Sequence, residues 1–240
     1  MITLYGRKPV LEILLDPETS IFRLHLAESN QRGDTITQIR KIAQKRGIDI
    51  ITHPKGALSR ISKNARQDQG VAIDIAPPKY QSVEQVSDNA GQLLALDGIT
   101  NPQNLGMIVR SVAASPMNGL LLPKKGCAKI DPLVHKASAG TLIKSSIYHC
   151  PTIESGLKSL RSKGYQLIGL SGGVDRSLGD IGNANEKIVF VLGNETTGIS
   201  EPVLALCDEL ACIPLESGVE SINVAMAATL VAFRTTFNGT

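Results

Sequence analysis

The sequence lacks tryptophan and has few aromatic residues of any kind, with four tyrosines and four phenylalanines among 240 residues. Proteins that stack RNA bases on a sheet need several exposed aromatic side chains. The composition therefore argues against an RNA-recognition or oligonucleotide-binding sheet. If the protein binds RNA, we expect contacts to phosphates and to the shape of the RNA to dominate.

Metal-binding motifs are also absent from the sequence. The four cysteines form no C-x-x-C pair, and the four histidines are scattered without the spacing of a zinc site. We predict no metal and expect the cysteines to be reduced and buried. The adjacent His149 and Cys150 leave a thiol nucleophile open, although both are also expected to end a short strand.

No run of about 18 apolar residues occurs, so we predict no membrane span. The charges among the first twenty residues are placed wrongly for a secretory signal, so we expect a cytoplasmic protein. A composition of 42% hydrophobic and 20% charged residues is sufficient for a packed core. The length allows one large domain or two modest ones.

Positive charge is concentrated near the amino terminus. Residues 1–76 carry a formal net charge of +4, whereas residues 77–240 carry −1. One basic cluster consists of Arg40, Lys41, Lys45, Arg46, Lys55, Arg60, Lys63 and Arg66, and a second lies at 123–136. Such clusters are expected where a protein contacts a phosphate backbone. A solvated helix face would carry the same charges, and charge alone leaves both interpretations open.

Alternating helix and strand patterns divide the chain into two α/β parts. Residues 1–76 form the first part, and the two prolines and polar run of residues 77–90 predict a linker. Residues 91–240 contain near-continuous apolar strands separated by helices, which predicts a parallel sheet with helices on both faces. The last helix, predicted over 221–237, is apolar nearly all round, so we expect it in the core or at a subunit interface.

Three predicted strand ends carry unusual polar residues: "LDGITNPQNLG" (96–106), "VLGNETTGIS" (191–200) and "IPLESGVESINVA" (213–225). Ligands of parallel sheets bind at the carboxyl ends of the strands, so we expect one shared site. The segment "GNETTG" has the glycine spacing of a phosphate-binding P-loop but lacks its lysine. The segment "GLSGGVD" (169–175) does not match a dinucleotide-binding fingerprint.

Together these segments resemble the motifs of the SpoU/TrmH-type RNA ribose 2'-O-methyltransferases of the SPOUT superfamily. "NPQNLGMIVRS" resembles the first motif, "VLGNETTGIS" the second and "IPLESGVESINVAMAA" the third. "KASAGT" (136–141) resembles a stretch between the first two motifs. The order and spacing agree over roughly 91–240. The amino-terminal "LYGRKPVLEIL" resembles the start of the L30e-like RNA-binding domain of the ribosomal-RNA members.

The resemblance implies an α/β fold: a parallel sheet with helices on both faces and a carboxyl-terminal trefoil knot, preceded by a small L30e-like α/β domain. Residues 1–76 would bind RNA, and residues 91–240 would form the SPOUT methyltransferase domain of a homodimer that uses S-adenosyl-L-methionine. A guanosine of 23S ribosomal RNA is the first candidate substrate. A transfer-RNA 2'-O-methyltransferase, and a non-catalytic RNA-binding protein that retains the fold, are the alternatives.

Five residues match catalytic positions of the family: Arg110, Asn104, Glu195, Ser221 and Asn223. The resemblance implies that Arg110 activates or positions the ribose hydroxyl. Because a guanidinium normally stays protonated, Arg110 could instead clamp a phosphate. It could also simply point outward from an amphipathic helix. Asn104 would fix the loop and orient Arg110 or the substrate, or it would cap the following helix.

Glu195 would orient the arginine and offset its charge, or it would be a solvated loop acid. Ser221 and Asn223 stand at the start of a helix, where donors can meet a ligand, although Ser221 could be a simple N-cap. The cofactor contacts implied by the resemblance fall on Gly193, Ile213, Leu215 and Ile222, where leucine is usual at position 222. Residues 188–233 contain six acids and no Lys or Arg, which suits a sulfonium cation.

The candidate RNA-binding residues lie in the first part of the chain. They are Arg7, Arg40, Lys41, Lys45, Arg46, Arg60, Lys63 and Arg66.

Overall fold

The computed structural model describes residues 1–30, 33–65, 67–78, 80–89, 91–182 and 186–236. The chain divides into two compact units. The first unit consists of Met1–Lys79 and Ile130–Ile143, and the second consists of Tyr80–Lys129 and Lys144–Thr240. Residues 130–143 therefore group with the amino-terminal unit, although the sequence analysis placed them in the methyltransferase domain.

The elements are numbered in chain order. The strands are β1 (Ile2–Tyr5), β2 (Ile21–Ala27), β3 (Asp49–His53), β4 (Val71–Ile75), β5 (Gln81–Ser82), β6 (Gln92–Leu96), β7 (Gly119–Pro123), β8 (Ile147–Cys150), β9 (Gln166–Leu170), β10 (Ile188–Leu192) and β11 (Glu209–Ala211). The α-helices are α1 (Arg7–Leu15), α2 (Asp34–Lys45), α3 (Lys55–Ser62), α4 (Pro102–Ala113), α5 (Pro132–Ala137), α6 (Ile153–Ser162), α7 (Glu201–Leu204) and α8 (Val224–Phe233).

The first unit contains a four-stranded mixed sheet in the order β1-β4-β2-β3. Strands β2 and β3 are parallel, and the other neighbours are antiparallel. Leu24 and Leu26 of β2 pack in one core with Ile36 and Ile39 of α2, because alternate strand residues and a helical stripe share one buried face. Helix α2 ends before Gly47, whose φ of 65° leaves the helical region. Strand β1 was not predicted, because four residues are too few to show a period.

The second unit is built on a parallel seven-stranded sheet in the order β11-β9-β10-β6-β7-β8-β5. All five residues of β6 and all five of β10 are buried, so both faces of the sheet are covered. One face packs against α6 and α7. Helices α4 and α8 pack against each other and against β7 and β10. The predicted parallel sheet with helices on both faces is confirmed.

The segment predicted as a linker contains ordered elements of the second unit. Strand β5 pairs with β8 at the edge of the sheet, and a 3₁₀ turn follows at Val83–Gln85. Val83 and Val86 are buried in the core of this unit. The sequence analysis missed these elements because a two-residue strand and a single turn carry no detectable hydrophobic period.

Helix α8 is shorter than predicted and has two different sides. Ala228 and Val231 are buried, whereas Met226 and Leu230 are 63% and 47% exposed. Within the described ranges, none of the helices combines the length and apolar content needed to cross a membrane.

Candidate functional site

The loops after β6 and β10 are joined directly at the carboxyl edge of the second sheet. The Asp97 amide donates to the Leu192 carbonyl at 2.8 Å, and the Ser200 amide donates to Asp97 Oδ2 at 2.8 Å. Asn194 Nδ2 donates to the Gly98 carbonyl, also at 2.8 Å. These contacts follow from the register, because Leu96 and Leu192 end side by side in neighbouring strands.

A chain of three polar side chains joins all three unusual segments. Asn104 Nδ2 donates to Glu195 Oε1, and Asn223 Nδ2 donates to Asn104 Oδ1 at 3.2 Å. An ionised carboxylate can only accept, so Glu195 sets the orientation of the Asn104 amide. Asn104 is 6% exposed, so its amide depends on these two partners. Residues more than 90 positions apart thus meet around one buried asparagine.

The residues that cap the helices at this edge are not the two, Asn104 and Ser221, that the sequence left open as simple N-caps. Asn101 is the N-cap of α4 and accepts from the Gln103 amide, so Asn104 lies inside the first turn. Asn223 is the N-cap of α8 and accepts from the Ala225 amide at 2.9 Å. The interpretations of Asn104 and Ser221 as simple N-caps are therefore wrong. Asn223 both caps its helix and binds Asn104.

A cavity of about 550 Å³ opens at this edge of the sheet. The four predicted cofactor residues line it: Gly193, Ile213, Leu215 and Ile222. Glu195 and Ser221 also contribute to its wall. Its volume lies within the range of small-molecule sites, roughly 300–1,000 Å³. The wall combines apolar side chains with the acids Glu195 and Glu220, so it suits a ligand that is partly apolar and positively charged.

Gly193 allows the second loop to fold closely beside the cavity. The amides and carbonyls of Asn194 and Gly198 bond each other reciprocally at 2.9 Å. A Cβ atom on Gly193 would overlap the backbone of Gly198 and Ile199, which no side-chain rotation could relieve. The glycine is thus required for this loop conformation.

Arg110 lies away from the cavity of its own chain. Its side chain is exposed on α4, and it is not among the residues that line the cavity. It follows Asn104 by six residues, which corresponds to about 9 Å along the helix axis. Glu195 contacts Asn104 and is in no ion pair with Arg110 within the described residues. The expectation that Arg110 projects into the site is therefore not met within one chain.

The cysteines show no sign of nucleophilic or metal chemistry. Burial raises the pKa of Cys150 to about 12, so its thiol stays protonated near neutral pH. Burial, and then Lys124, lowers the pKa of the neighbouring His149. The described residues contain no group of three His, Cys, Asp or Glu side chains able to hold a metal ion. The thiol-nucleophile interpretation has no support in the structure.

The candidate RNA-binding residues fall into two groups. The first is held by internal hydrogen bonds: Arg7 Nη2 donates to Asn30 Oδ1 at 2.7 Å, and Arg46 donates to the Leu14, Asp16 and Thr19 carbonyls. The second group is available to a ligand and consists of exposed Lys41, Lys45, Arg60 and Lys63 with half-buried Arg40. Arg66 lies outside the described residues.

Sequence reasoning missed some residues of this site. Asp97 and Asn194 tie the first two loops together, and Ser171, Gly172 and Gly173 line the cavity. Asp97 and Ser171 directly follow apolar strands, and Asn194 follows one after a single glycine, so a polar residue at a strand end was a usable signal for these three. The glycine pair at 172–173 fails as a dinucleotide-binding motif but lies just after the end of β9.

Two family profiles match the chain. The SpoU rRNA Methylase family matches residues 91–233, and the profile for RNA 2'-O ribose methyltransferase substrate binding matches residues 3–81. A relative from Mycobacterium ulcerans, described as an uncharacterized tRNA/rRNA methyltransferase, is 32% identical over 236 residues. That match covers 95% of this chain and 74% of the relative.

Solved structures of SpoU methyltransferases share the fold. AviRb from Streptomyces viridochromogenes, crystallised with the cofactor AdoMet, is 21% identical with a TM-score of 0.82, covering 99% of this chain and 91% of that chain. An AdoMet-bound rRNA methyltransferase from Sinorhizobium meliloti is 21% identical with a TM-score of 0.79, covering 98% and 86% of the two chains.

Proposed function

The chain belongs to the SpoU rRNA Methylase family, and from this membership we propose that it methylates a ribose 2'-hydroxyl of RNA with S-adenosylmethionine as the methyl donor. The observation that carries the proposal is the hydrogen-bonded chain Glu195–Asn104–Asn223 beside the cavity at the carboxyl edge. A guanosine of 23S ribosomal RNA is the proposed target. The similar relatives are described only as tRNA/rRNA methyltransferases, so transfer RNA is the second candidate.

The residues that line the cavity fit the proposed cofactor. Ile213, Leu215 and Ile222 provide apolar surface for an adenosine, and Glu195 and Glu220 provide negative charge for a sulfonium. Gly193 keeps the backbone of the second loop close to the cavity. When bound, S-adenosylmethionine supplies an electrophilic methyl group.

The proton of the ribose hydroxyl needs an acceptor, and Glu195 is the residue proposed for it. Methylation of the 2'-oxygen releases that proton, and a guanidinium has no lone pair to accept it. One carboxylate oxygen of Glu195 is held by Asn104, and within the described residues no hydrogen bond is made by the other. We assign proton acceptance, or orientation of the hydroxyl, to Glu195. Arg110 is assigned to hold the substrate, through a phosphate or the ribose.

The exposed face of α4 and α8 supports a homodimer. Met107, Met226 and Leu230 are between 41% and 63% exposed on these two packed helices, and Arg110 lies on the same side of α4 as Met107. A dimer that buries this face would carry Arg110 of one protomer towards a second chain. The trefoil knot and the cytoplasmic location implied by the resemblance stay predictions.

Methyl transfer from labelled S-adenosylmethionine tests the proposal. Purified ribosomal and transfer RNA, deproteinised and assayed separately, should distinguish the two substrates, and label in alkali-resistant dinucleotides identifies the ribose 2'-position. The Glu195→Gln variant serves as the control and should lose at least about a hundredfold in kcat. RNA binding without transfer to either RNA would favour the non-catalytic alternative.

A further inference from the structure

A basic loop lies next to the candidate site and is not part of the cavity wall. Residues 124–129, called here the lysine loop, follow β7 and carry Lys124, Lys125 and Lys129. All three side chains are exposed. No acid occurs from residue 124 to residue 130. Among the described ion pairs, none involves these three lysines.

Hydrogen bonds anchor the lysine loop to the carboxyl edge of the sheet. The Lys124 amide donates to the Cys150 carbonyl at 2.9 Å. The Ala128 amide donates to the Ile99 carbonyl at 2.7 Å, and Cys127 Sγ lies 3.5 Å from the Leu96 carbonyl oxygen. Backbone bonds near both ends of the loop therefore fix where its three lysine side chains begin relative to β6 and β8.

Only the loop after β6 lies between the lysine loop and the loop that lines the cavity. Ile99, which binds Ala128, follows Gly98, and the Gly98 carbonyl binds Asn194. Asn194 in turn lines the cavity. Two hydrogen bonds and one peptide unit thus connect the lysine loop to the cavity wall. The lysine loop is positively charged, whereas the cavity wall is negatively charged, because its charged residues are the acids Glu195 and Glu220.

We propose that the lysine loop binds the phosphates of the RNA segment next to the target ribose and positions that ribose at the cavity. The proposal rests on the function proposed above and adds a substrate-positioning surface within the second unit. The charge complementarity favours RNA, since the loop offers only cations beside a cavity lined by acids. Lysine is a flexible point charge, so we assign it backbone positioning and not recognition of a base.

The lysine loop is tested in the full-length protein with the variant Lys124→Ala/Lys125→Ala/Lys129→Ala. With deproteinised total bacterial RNA and labelled S-adenosylmethionine, its KM for RNA should rise about tenfold or more, while kcat stays within about twofold. Affinity for S-adenosylmethionine should be unchanged. The corresponding triple arginine variant keeps the charge and should restore the KM. Lys158→Ala, an exposed lysine on α6, is the control and should behave like wild type.

Salt dependence provides a readout that does not require turnover. With a short fluorescent single-stranded RNA of mixed sequence, loss of three phosphate contacts should reduce the slope of log affinity against log salt by about 2. A wild-type protein that transfers no methyl group contradicts the proposed function. Even then, comparing the salt slopes of the wild type and the triple alanine variant tests whether the lysine loop binds RNA. If the wild type is active and the triple alanine variant matches it in KM and slope, the lysine loop inference is wrong.

Discussion

Asn104 is the residue through which side chains from all three loops of the candidate site are linked. It is buried, and its amide group bonds Glu195 through the nitrogen and Asn223 through the oxygen. No other standard side chain of this size both donates and accepts through a planar group in this way. Asn104 is therefore expected to act indirectly, by positioning the carboxylate of Glu195. Glu195 itself lines the cavity.

Replacing Asn104 by alanine should break the link between Glu195 and Asn223 and leave the residues that line the cavity unchanged. We expect Asn104→Ala to lower the free energy of unfolding by about 1–3 kcal/mol, because it removes a buried amide and leaves Glu195 and Asn223 without its two hydrogen bonds. We also expect kcat to fall, because Glu195 loses the contact that holds it. Urea denaturation and methyl transfer measure the two effects.

The neighbouring exposed residue provides the control for Asn104. Gln103→Ala lies in the same helical turn and should change stability by less than about 0.5 kcal/mol. A stable and fully active Asn104→Ala variant would contradict the positioning role.

At the scale of elements, α1 of the first unit is held at its carboxyl end by an arginine from just after α2. Arg46 Nη1 donates to the Leu14 carbonyl at 2.9 Å and the Asp16 carbonyl at 2.8 Å, and Nη2 donates to the Thr19 carbonyl at 3.1 Å. The last carbonyls of a helix have no partner within it, and a cation there also meets the negative end of the helix dipole. Arg46, which was predicted to bind RNA, thus stabilises the carboxyl end of α1.

Arg46→Met should therefore affect stability more than RNA binding. We expect a loss of about 1–3 kcal/mol, because charged hydrogen bonds to several carbonyls disappear together. The salt slope of RNA binding should remain that of the wild type. Lys45→Met, the exposed neighbour, should show the opposite pattern, with stability within about 0.5 kcal/mol and weaker RNA binding. A smaller salt slope in Arg46→Met than in the wild type would indicate that Arg46 also contacts RNA.

The elements themselves were predictable to different degrees. Strands β6, β7, β9 and β10 were predictable, because each coincides with an apolar run between turn residues, which is a local signal. Strand β5 and the buried valines beside it were not, since their order comes from pairing with β8. Residues 130–143 illustrate a second limit. Their helical pattern is visible in the sequence, but the unit against which α5 packs is not.

At the scale of the whole molecule, the position of Arg110 bears on the proposed homodimer. The side chain is exposed and away from the cavity of its own chain, on a helix whose neighbouring surface is apolar. If Arg110 serves the reaction, it must act on a site that another chain completes. The dimer would then be needed for activity.

Mixed dimers test this arrangement. Arg110→Ala and Glu195→Gln should each be inactive alone, whereas mixing them and allowing exchange should restore methyl transfer, because half of the sites in a mixed dimer receive an intact Arg110 and an intact Glu195. At most about a quarter of wild-type activity is expected from random exchange of equal amounts. If activity is not regained although mass spectrometry of the native protein verifies the exchange, Arg110 and Glu195 act in a site of the same chain. An active Arg110→Ala variant would remove Arg110 from the mechanism.

By itself, the sequence determined the alternation of strands and helices, the parallel sheet and the three polar strand ends, because apolar runs, turn residues and charge act over short stretches of chain. Only the tertiary structure decided that Glu195 meets Asn104 and not Arg110, that Arg46 caps a helix, and that the lysine loop lies beside the cavity. These relations join residues that are distant in the chain, and they depend on strand register and helix packing, which no local pattern encodes.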